Sequence, residues 1–285
     1  EIASCLVGSE MCIRDSVKGD LPMNELIYKI ETIVRNCGTQ ILQAKNEKMN
    51  IEKKEGIGNI VTEYDKKIQK ELKEKLLELL PDAKFIGEED DLDKNVLENG
   101  YTFIVDPIDG TTNFSRHFSL SAISVGLLKD AKPYIAVCYN PYLDEMYIAQ
   151  KNKGAYLNNK SLKVSDKTLS EGIVLSGNAP YYKELREKSI QLLNKFSILA
   201  TDFRRFGSAV IELCNIACGR AEVYFELKLQ PWDYAAGLLI VEEAGGKVTT
   251  INGKQMSFNG PNSILATNNK EDYIKSVSYT HLRAH

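Results

Sequence analysis

Three apolar segments of this sequence lead directly into aspartate or glutamate residues, whose carboxylates are rare in buried parts of a chain. The segments read FIGEED, FIVDPIDGTTNF and PWDYAAG, at residues 85–90, 103–114 and 231–237. A carboxylate at the end of a buried strand is costly unless something pairs with it. If the three segments converge, their carboxylates would bind a hard divalent cation through oxygen, and magnesium fits such ligands best.

The central segment carries the most specific chemistry. Asp106 and Asp109 are separated by a proline, whose fixed φ predicts a tight turn that directs both carboxylates to one centre. Gly110 lets the backbone approach a ligand closely. The amides of Gly110, Thr111 and Thr112 could then meet a phosphate, with the Thr111 hydroxyl near the metals.

Two magnesium ions at these carboxylates would polarise a phosphoryl group and activate a water. That chemistry needs no protein nucleophile, and the sequence offers no Cys–His or Ser–His pair. Apart from the C-terminal end, His117 is the only histidine, which argues against a multi-histidine zinc site. His117 itself is either a catalytic base or, as its place after the turn favours, a loop residue. Cys214 and Cys218, four residues apart, could bind a soft metal or pack in the core, and packing is favoured.

The two ends of the chain read as translations of one DNA element. Residues 7–15 read VGSEMCIRD and residues 277–285 read VSYTHLRAH. A single DNA sequence read in opposite orientations encodes both, and it resembles a transposase adapter from sequencing-library preparation. We therefore expect residues 1–16 and 277–285 to be non-native and residues 17–276 to form the functional domain, of a size that buries an ample core.

Composition excludes several classes of protein. The formal net charge is −3 and no basic stripe is present, so a nucleic-acid partner is not expected. No apolar run approaches the length of a membrane span. The cysteines lack paired metal-binding spacing and are typical of a cytoplasmic protein.

Apolar periodicity predicts helices and strands in layers. Helices are predicted at 23–46, 62–80, 181–196, 208–218 and 233–244. Strands are predicted at 84–86, 101–105, 121–128, 134–139, 145–149, 155–157, 173–176, 222–225, 246–249 and 264–267. The strands between 121 and 157 predict an antiparallel sheet, and the charged, glycine-bearing residues 51–59 predict a mobile loop. The order of elements indicates an α+β fold, or loosely α/β.

The motif DPIDGTTNF, with GEE upstream and WDYAAG downstream, resembles the inositol monophosphatase family of the lithium-sensitive sugar-phosphatase superfamily. The resemblance runs in order from about Met23 to about Thr267. It implies a layered α-β-α-β-α sandwich with mixed and antiparallel sheets, commonly a homodimer. It also implies two to three Mg²⁺ ions and a small phosphorylated polyol or sugar as substrate.

The resemblance assigns the metal ligands. Glu88 would bind the first magnesium and help activate the water, and Asp106 would bridge both ions. Ile108 would give its carbonyl to the first ion. Asp109 and Asp233 would bind the second, and Asp233 would also contact the substrate.

The resemblance likewise assigns the substrate contacts. Thr111 would orient the attacking water, and the amides of Gly110 and Thr111 would hold the phosphate. Glu226 would bind a substrate hydroxyl. Ser208 and Ala209 would line the sugar pocket.

Several acidic residues have a second interpretation. Asp65 matches a weaker third metal site in the family, but Thr62 and Asp65 also fit a capping box at the start of a helix. Asp233 is in a position to cap its own helix. Glu89 and Asp90 are predicted to form a solvated acidic turn.

The substrate is left open among relatives. Inositol monophosphate is the primary expectation, although Gln230 stands where animal inositol monophosphatases have histidine. Relatives act on fructose 1,6-bisphosphate, histidinol phosphate or 3′-phosphoadenosine 5′-phosphate. Some bacterial relatives also act as regulators bound to RNA polymerase. A binding role alone would not require the complete ligand set, which favours an enzyme.

Overall fold

The computed structural model describes residues 25–44, 50–54, 60–90, 97 and 99–269. The predicted non-native ends, 1–16 and 277–285, lie outside the described residues, as do residues 55–59 of the predicted loop. The loop prediction is wrong for its first residues. Ile51–Lys53 forms strand β1, which pairs antiparallel with β2, Ile60–Thr62. All three side chains of β1 are exposed, so no apolar alternation marks it as a strand.

A seven-stranded sheet occupies the first half of the fold. Its strands are β3 (Lys84–Gly87), β4 (Tyr101–Asp109), β5 (Ala122–Lys129), β6 (Lys132–Asn140), β7 (Glu145–Gln150), β8 (Gly154–Leu157) and β9 (Lys160–Ser161). They lie in chain order, with β3 parallel to β4 and all other neighbours antiparallel. The antiparallel sheet predicted between residues 121 and 157 is therefore confirmed.

A five-stranded mixed sheet forms the second half. Its strands are β10 (Ile173–Ser176), β11 (Asp202–Arg204), β12 (Val223–Leu229), β13 (Lys247–Thr249) and β14 (Asn262–Thr267). The spatial order is β11-β10-β12-β14-β13, parallel across the first three strands and antiparallel across the rest. The sequence did not predict β11, because this edge strand is exposed throughout.

Six α-helices accompany the sheets in the described part of the chain. They are α1 (Glu25–Gln43), α2 (Glu63–Leu79), α3 (Thr111–Ser115), α4 (Lys183–Leu199), α5 (Ala209–Ala217) and α6 (Pro231–Glu243). A 3₁₀ turn spans Leu169–Glu171. Helix α3, of five residues, is too short for periodicity to predict. Helix α4 begins at Lys183, so Tyr181 and Tyr182 precede it instead of belonging to it. None of the described helices has both the length and the apolar character needed to cross a bilayer.

The layers follow from which faces are apolar. Helices α1 and α2 pack on the seven-stranded sheet, α5 and α6 contact strands of both sheets, and α4 packs on β10 and β12. Helix α6 is buried almost throughout, as expected of a helix that is apolar on all sides. The α-β-α-β-α sandwich is thus confirmed, and it places the first turns of α5 and α6 near the end of β4.

Candidate active site

Strand β4 carries both carboxylates of the central motif. The strand continues to Asp109, so the predicted tight turn after Val105 is wrong. Residues three apart on a regular strand point to opposite faces. The pairing of β4 with β5 shifts register between Asp106 and Asp109, and this irregularity lets the two carboxylates share one side. Proline between them is compatible with such a break, because it has no N–H to donate to the ladder.

Asp106, Asp109 and Asp233 converge, and one carboxylate oxygen from each lies within 4.8 Å of the others. Asp106 and Asp109 are buried, and Asp233 is partly buried in the first turn of α6. Burial, with repulsion among the carboxylates, raises the pKa of Asp106 well above its ordinary value. Burial raises the pKa of Asp109 to about 7. Burial and the neighbouring carboxylates also raise the pKa of Asp233 well above its ordinary value.

Clustered buried carboxylates are unfavourable unless a cation neutralises them. Their donor atoms are all carboxylate oxygens, the ligands that hard divalent cations take. The residues therefore fit Mg²⁺. Glu88 is not part of this group of three.

The start of helix α5 holds Asp109 in place. Asp109 Oδ2 accepts hydrogen bonds from the Ser208 hydroxyl and from the Val210 amide, the latter at 2.8 Å. The Ser208 Oγ in turn accepts from the Ile211 amide at 3.2 Å and caps the helix. Ser208, predicted only to line the sugar pocket, thus also fixes a carboxylate of the cluster.

Asp65 forms the capping box that the sequence offered as one interpretation. Its Oδ2 accepts from the Thr62 amide at 2.7 Å, and the Thr62 hydroxyl accepts from the Asp65 amide. Its Oδ1 lies 3.1 Å from the Thr111 hydroxyl. Asp65 is completely buried, which raises its pKa to about 7. Capping and the contact with Thr111 account for its position, and the third metal site remains a prediction.

Glu88 is paired with a lysine. Glu88 Oε1 lies 3.0 Å from Lys54 Nζ, and Lys54 also pairs with Glu89. The Glu89 side chain is only 10% exposed, so the predicted solvated turn is wrong for this residue. Asp90 is more exposed and pairs with Lys73 at 2.9 Å.

Gly110 occupies a position that only glycine fills without strain. Its φ is 86°, in the left-handed region. A Cβ there would lie 3.0 Å from the Leu120 carbonyl oxygen and 3.2 Å from Ser208 Cβ. Nearby, the Asn113 side-chain amide donates to the carbonyls of Leu120 and Phe206, at 2.8 and 2.7 Å. Asn113 thus joins the start of α3 to the segment before α5, a role that no sequence pattern indicated.

A cavity of about 700 Å³ opens onto this cluster. All predicted site residues except Asp65 line it: Glu88, Asp106, Ile108, Asp109, Gly110, Thr111, Ser208, Ala209, Glu226 and Asp233. His117 does not line it, as expected of a loop residue. Tyr181 and Tyr182 do, and no sequence signal placed them there.

Glu226 presents a buried carboxylate to the cavity. Its two oxygens accept from the Ala179 amide and the Tyr224 hydroxyl, each at 2.9 Å. Burial raises its pKa. A Cβ at position 177 would overlap the Glu226 carboxyl, so Gly177 makes room for it. A glycine directly after a predicted strand was the one sequence feature that could have indicated this close approach of a side chain.

Three cations form what we call the cationic wall: Arg186, Arg205 and Lys228, all lining the cavity. Arg205 donates to Asn178 Oδ1 at 3.0 Å, Arg186 donates to a backbone carbonyl, and Lys228 Nζ lies 3.8 Å from the centre of the Tyr182 ring. None of the three is ion-paired with a carboxylate among the residues that the structure describes. Their charge is therefore available to an anionic group in the cavity.

The sequence matches the profile of the Inositol monophosphatase family over residues 23–281. This chain belongs to the inositol monophosphatase family. It is 35% identical over 250 residues to an inositol-1-monophosphatase of Bacillus subtilis (strain 168), covering 88% of this chain and 94% of that protein. It is 34% identical over 258 residues to a fructose-1,6-bisphosphatase/inositol-1-monophosphatase of Aquifex aeolicus (strain VF5), with coverage of 88% and 94%.

Solved structures of the family share the fold. The extragenic suppressor protein suhB from Bartonella henselae superposes with a TM-score of 0.82 at 28% identity, covering 92% of this chain and all of that one. The family assignment made from DPIDGTTNF and its flanking motifs is therefore confirmed. The inositol monophosphatase fold explains why the three aspartates meet, since β4 and α6 contact each other in the central layers.

Proposed function

We propose that this member of the inositol monophosphatase family is a Mg²⁺-dependent phosphomonoesterase whose primary substrate is inositol monophosphate. The observation that supports this most is the convergence of Asp106, Asp109 and Asp233 at a cavity large enough for a small phosphorylated polyol. Bound magnesium would supply Lewis acidity to the phosphoryl group and lower the pKa of an attacking water.

The residues at and around the cluster would bind the metal ions, hold the phosphate and orient the attacking water. Asp106, Asp109 and Asp233 would hold the ions, together with Glu88 and the Ile108 carbonyl. The amides of Gly110 and Thr111 would hold the phosphate. The Thr111 hydroxyl, fixed near the Asp65 carboxylate, would orient the water together with Glu88.

The polyol would lie against Ser208, Ala209 and Glu226, which also line the cavity. A carboxylate in a water-poor pocket accepts hydrogen bonds from hydroxyl groups strongly. Glu226 is buried and fixed by two donors, so it can select a hydroxyl without rearranging.

Glu226→Gln is expected to change substrate preference. The ratio of kcat/KM for inositol 1-phosphate to that for 4-nitrophenyl phosphate should fall by roughly 10-fold, the effect of one hydrogen bond to a charged group. The magnesium concentration for half-maximal rate should not change, because Glu226 is not among the three clustered aspartates. Steady-state kinetics with both substrates measures this. An equal loss of kcat/KM with both substrates, together with a higher magnesium concentration for half-maximal rate, would remove Glu226 from the polyol site.

The proposed function is tested with a panel of four substrates. Inositol 1-phosphate, fructose 1,6-bisphosphate, histidinol phosphate and 3′-phosphoadenosine 5′-phosphate are supplied separately with magnesium, and released phosphate is measured. We expect the highest kcat/KM with inositol 1-phosphate. No release from any of the four would contradict the proposal.

The cationic wall favours fructose 1,6-bisphosphate as the second candidate. A substrate with one phosphate at the aspartate cluster leaves Arg186, Arg205 and Lys228 without an anion, whereas a bisphosphate can supply one. Arginine is suited to this because its planar fork binds phosphate oxygens in pairs.

Arg205→Gln is expected to separate the two candidates. It should lower kcat/KM for fructose 1,6-bisphosphate by roughly 10-fold, since one charged hydrogen bond is lost, and leave inositol 1-phosphate within about two-fold. Arg204→Gln is the matched control, because Arg204 is half exposed, pairs with Asp202 and does not line the cavity. If Arg205→Gln lowered kcat/KM equally for both substrates, the cationic wall would not bind a second phosphate.

A further inference from the structure

Glu212 is a buried glutamate at the cavity to which the proposed function gives no role. It lies in the first turn of α5, is 2% exposed and lines the cavity. Its Oε1 accepts a hydrogen bond from the Phe206 amide at 2.6 Å, which ties α5 to the segment before it. Its Oε2 is buried and has no hydrogen-bond partner among the residues that the structure describes.

The contact with the backbone accounts for only one of the two oxygens. Buried polar groups nearly always have a hydrogen-bond partner, and an unpaired one is unfavourable. The polar side chains nearby donate elsewhere: the Tyr224 hydroxyl to Glu226 and Arg205 to Asn178. Because Glu212 lines the cavity, its Oε2 is available to a hydrogen-bond donor on a ligand that enters there.

Glu212 and Glu226 act on the same part of the cavity. Burial raises the pKa of the Glu212 carboxyl to about 8, repulsion from Glu226 adds to the increase, and the charge of Arg205 opposes it. The two carboxyl groups therefore lie within electrostatic reach of each other, and both line the cavity. A ligand donor that reaches Glu212 would favour its ionised form, because hydrogen bonds to a carboxylate stabilise its charge.

We propose that Glu212 binds a substrate hydroxyl through Oε2, so that Glu212 and Glu226 together recognise two hydroxyls of one polyol. A carboxylate forms strong hydrogen bonds with hydroxyl donors. Two fixed carboxylates therefore favour a phosphate ester whose organic part carries two suitably spaced hydroxyls over one that carries none. The inference rests on the proposed function, in which the polyol lies against Glu226.

Glu212→Gln tests the contact, because it keeps an acceptor for the Phe206 amide and replaces Oε2 with an NH₂ group, which only donates. The ratio of kcat/KM for inositol 1-phosphate to that for 4-nitrophenyl phosphate should fall by roughly 10-fold, the effect of one hydrogen bond to a charged group. Both substrates are assayed above the pH at which Glu212 ionises, and the melting temperature shows that the variant is folded.

Glu222→Gln is the matched control. Glu222 is also 2% exposed and also accepts from a backbone amide, that of Ile173, but it does not line the cavity. The ratio of the two kcat/KM values should stay within about two-fold in this variant. If Glu212→Gln does not fold, Glu212→Asp takes its place. It keeps the carboxylate but withdraws it by one methylene, so the same fall in the ratio is expected.

Deoxy analogues of inositol 1-phosphate separate the two carboxylates. Each analogue lacks one ring hydroxyl, and Glu212→Gln should cause no further loss of kcat/KM with the analogue that lacks its partner hydroxyl. A different analogue should behave in this way with Glu226→Gln. A purely structural role of Glu212 would instead lower kcat/KM by the same factor with every analogue and with 4-nitrophenyl phosphate.

An unchanged ratio in the folded variant overturns the inference, and so does an equal loss of kcat/KM with inositol 1-phosphate and 4-nitrophenyl phosphate. A failure of the proposed function gives a different result. In that case the wild-type chain would release no phosphate from inositol 1-phosphate, and the inference would fall with it.

Discussion

Asp106→Asn is expected to reduce phosphate release to near background while the fold is retained. Asparagine keeps the shape of the side chain, and its oxygen can still accept from the Ile108 amide, now at 3.0 Å from Asp106 Oδ1. It removes one negative charge and one strong oxygen ligand from the three-aspartate cluster. Since magnesium demands such ligands, the loss should exceed the roughly 10²–10³-fold cost of one transition-state hydrogen bond. The measurement is kcat at saturating magnesium.

The stability of this variant gives an independent readout. Burial and neighbouring carboxylates disfavour ionised Asp106, so a neutral amide relieves repulsion in the metal-free chain. The metal-free melting temperature should therefore equal or exceed that of the wild type. Asp90→Asn is the control, because Asp90 pairs with Lys73 and does not line the cavity. Near-wild-type turnover in Asp106→Asn, with a loss in Asp90→Asn, would refute the proposed role of DPIDGT.

Thr111→Ala is expected to lower kcat by roughly 10²-fold with little change in KM. The Thr111 hydroxyl lies 3.1 Å from both Asp65 Oδ1 and the Ile108 carbonyl, which fixes it at the cavity. A group that positions a water in the transition state affects turnover more than substrate binding.

Two variants bracket the Thr111 result. Thr111→Ser keeps the hydroxyl and should recover most of the turnover. Ser115→Ala is the control on the same short helix, because Ser115 does not line the cavity and bonds only to the Thr112 carbonyl among the described residues. An unchanged kcat in Thr111→Ala would exclude Thr111 from the mechanism.

The parts of the site that the sequence predicts are those carried by local patterns. Apolar runs next to carboxylates mark β4 and the start of α6. Hydrophobic periodicity predicts the helices and strands and an α+β class, and the five-layer sandwich is what the family resemblance implies. The capping box of Thr62 and Asp65 was also local, since its two residues lie three apart. The sequence predicts that the three acidic segments meet only because buried carboxylates need a shared partner that neutralises them.

The parts that the sequence could not predict depend on distant contacts. Lys54 and Glu88 are 34 residues apart, and nothing in either segment indicates that they meet. The register shift in β4 replaced the expected turn, because pairing with β5, not the proline alone, decides where the strand ends. The cationic wall is assembled from α4, β12 and the residues before α5, each of which reads locally as ordinary charged surface.

Removal and return of magnesium tests the central claim most directly. The purified chain is incubated with inositol 1-phosphate, then with an excess of chelator, then with magnesium restored, and released phosphate is followed throughout. The account predicts release that stops with the chelator and resumes with magnesium, and no such recovery in Asp106→Asn. Phosphate release that continues undiminished in the chelator would contradict it, as would a chain that binds magnesium but releases no phosphate from any of the four substrates.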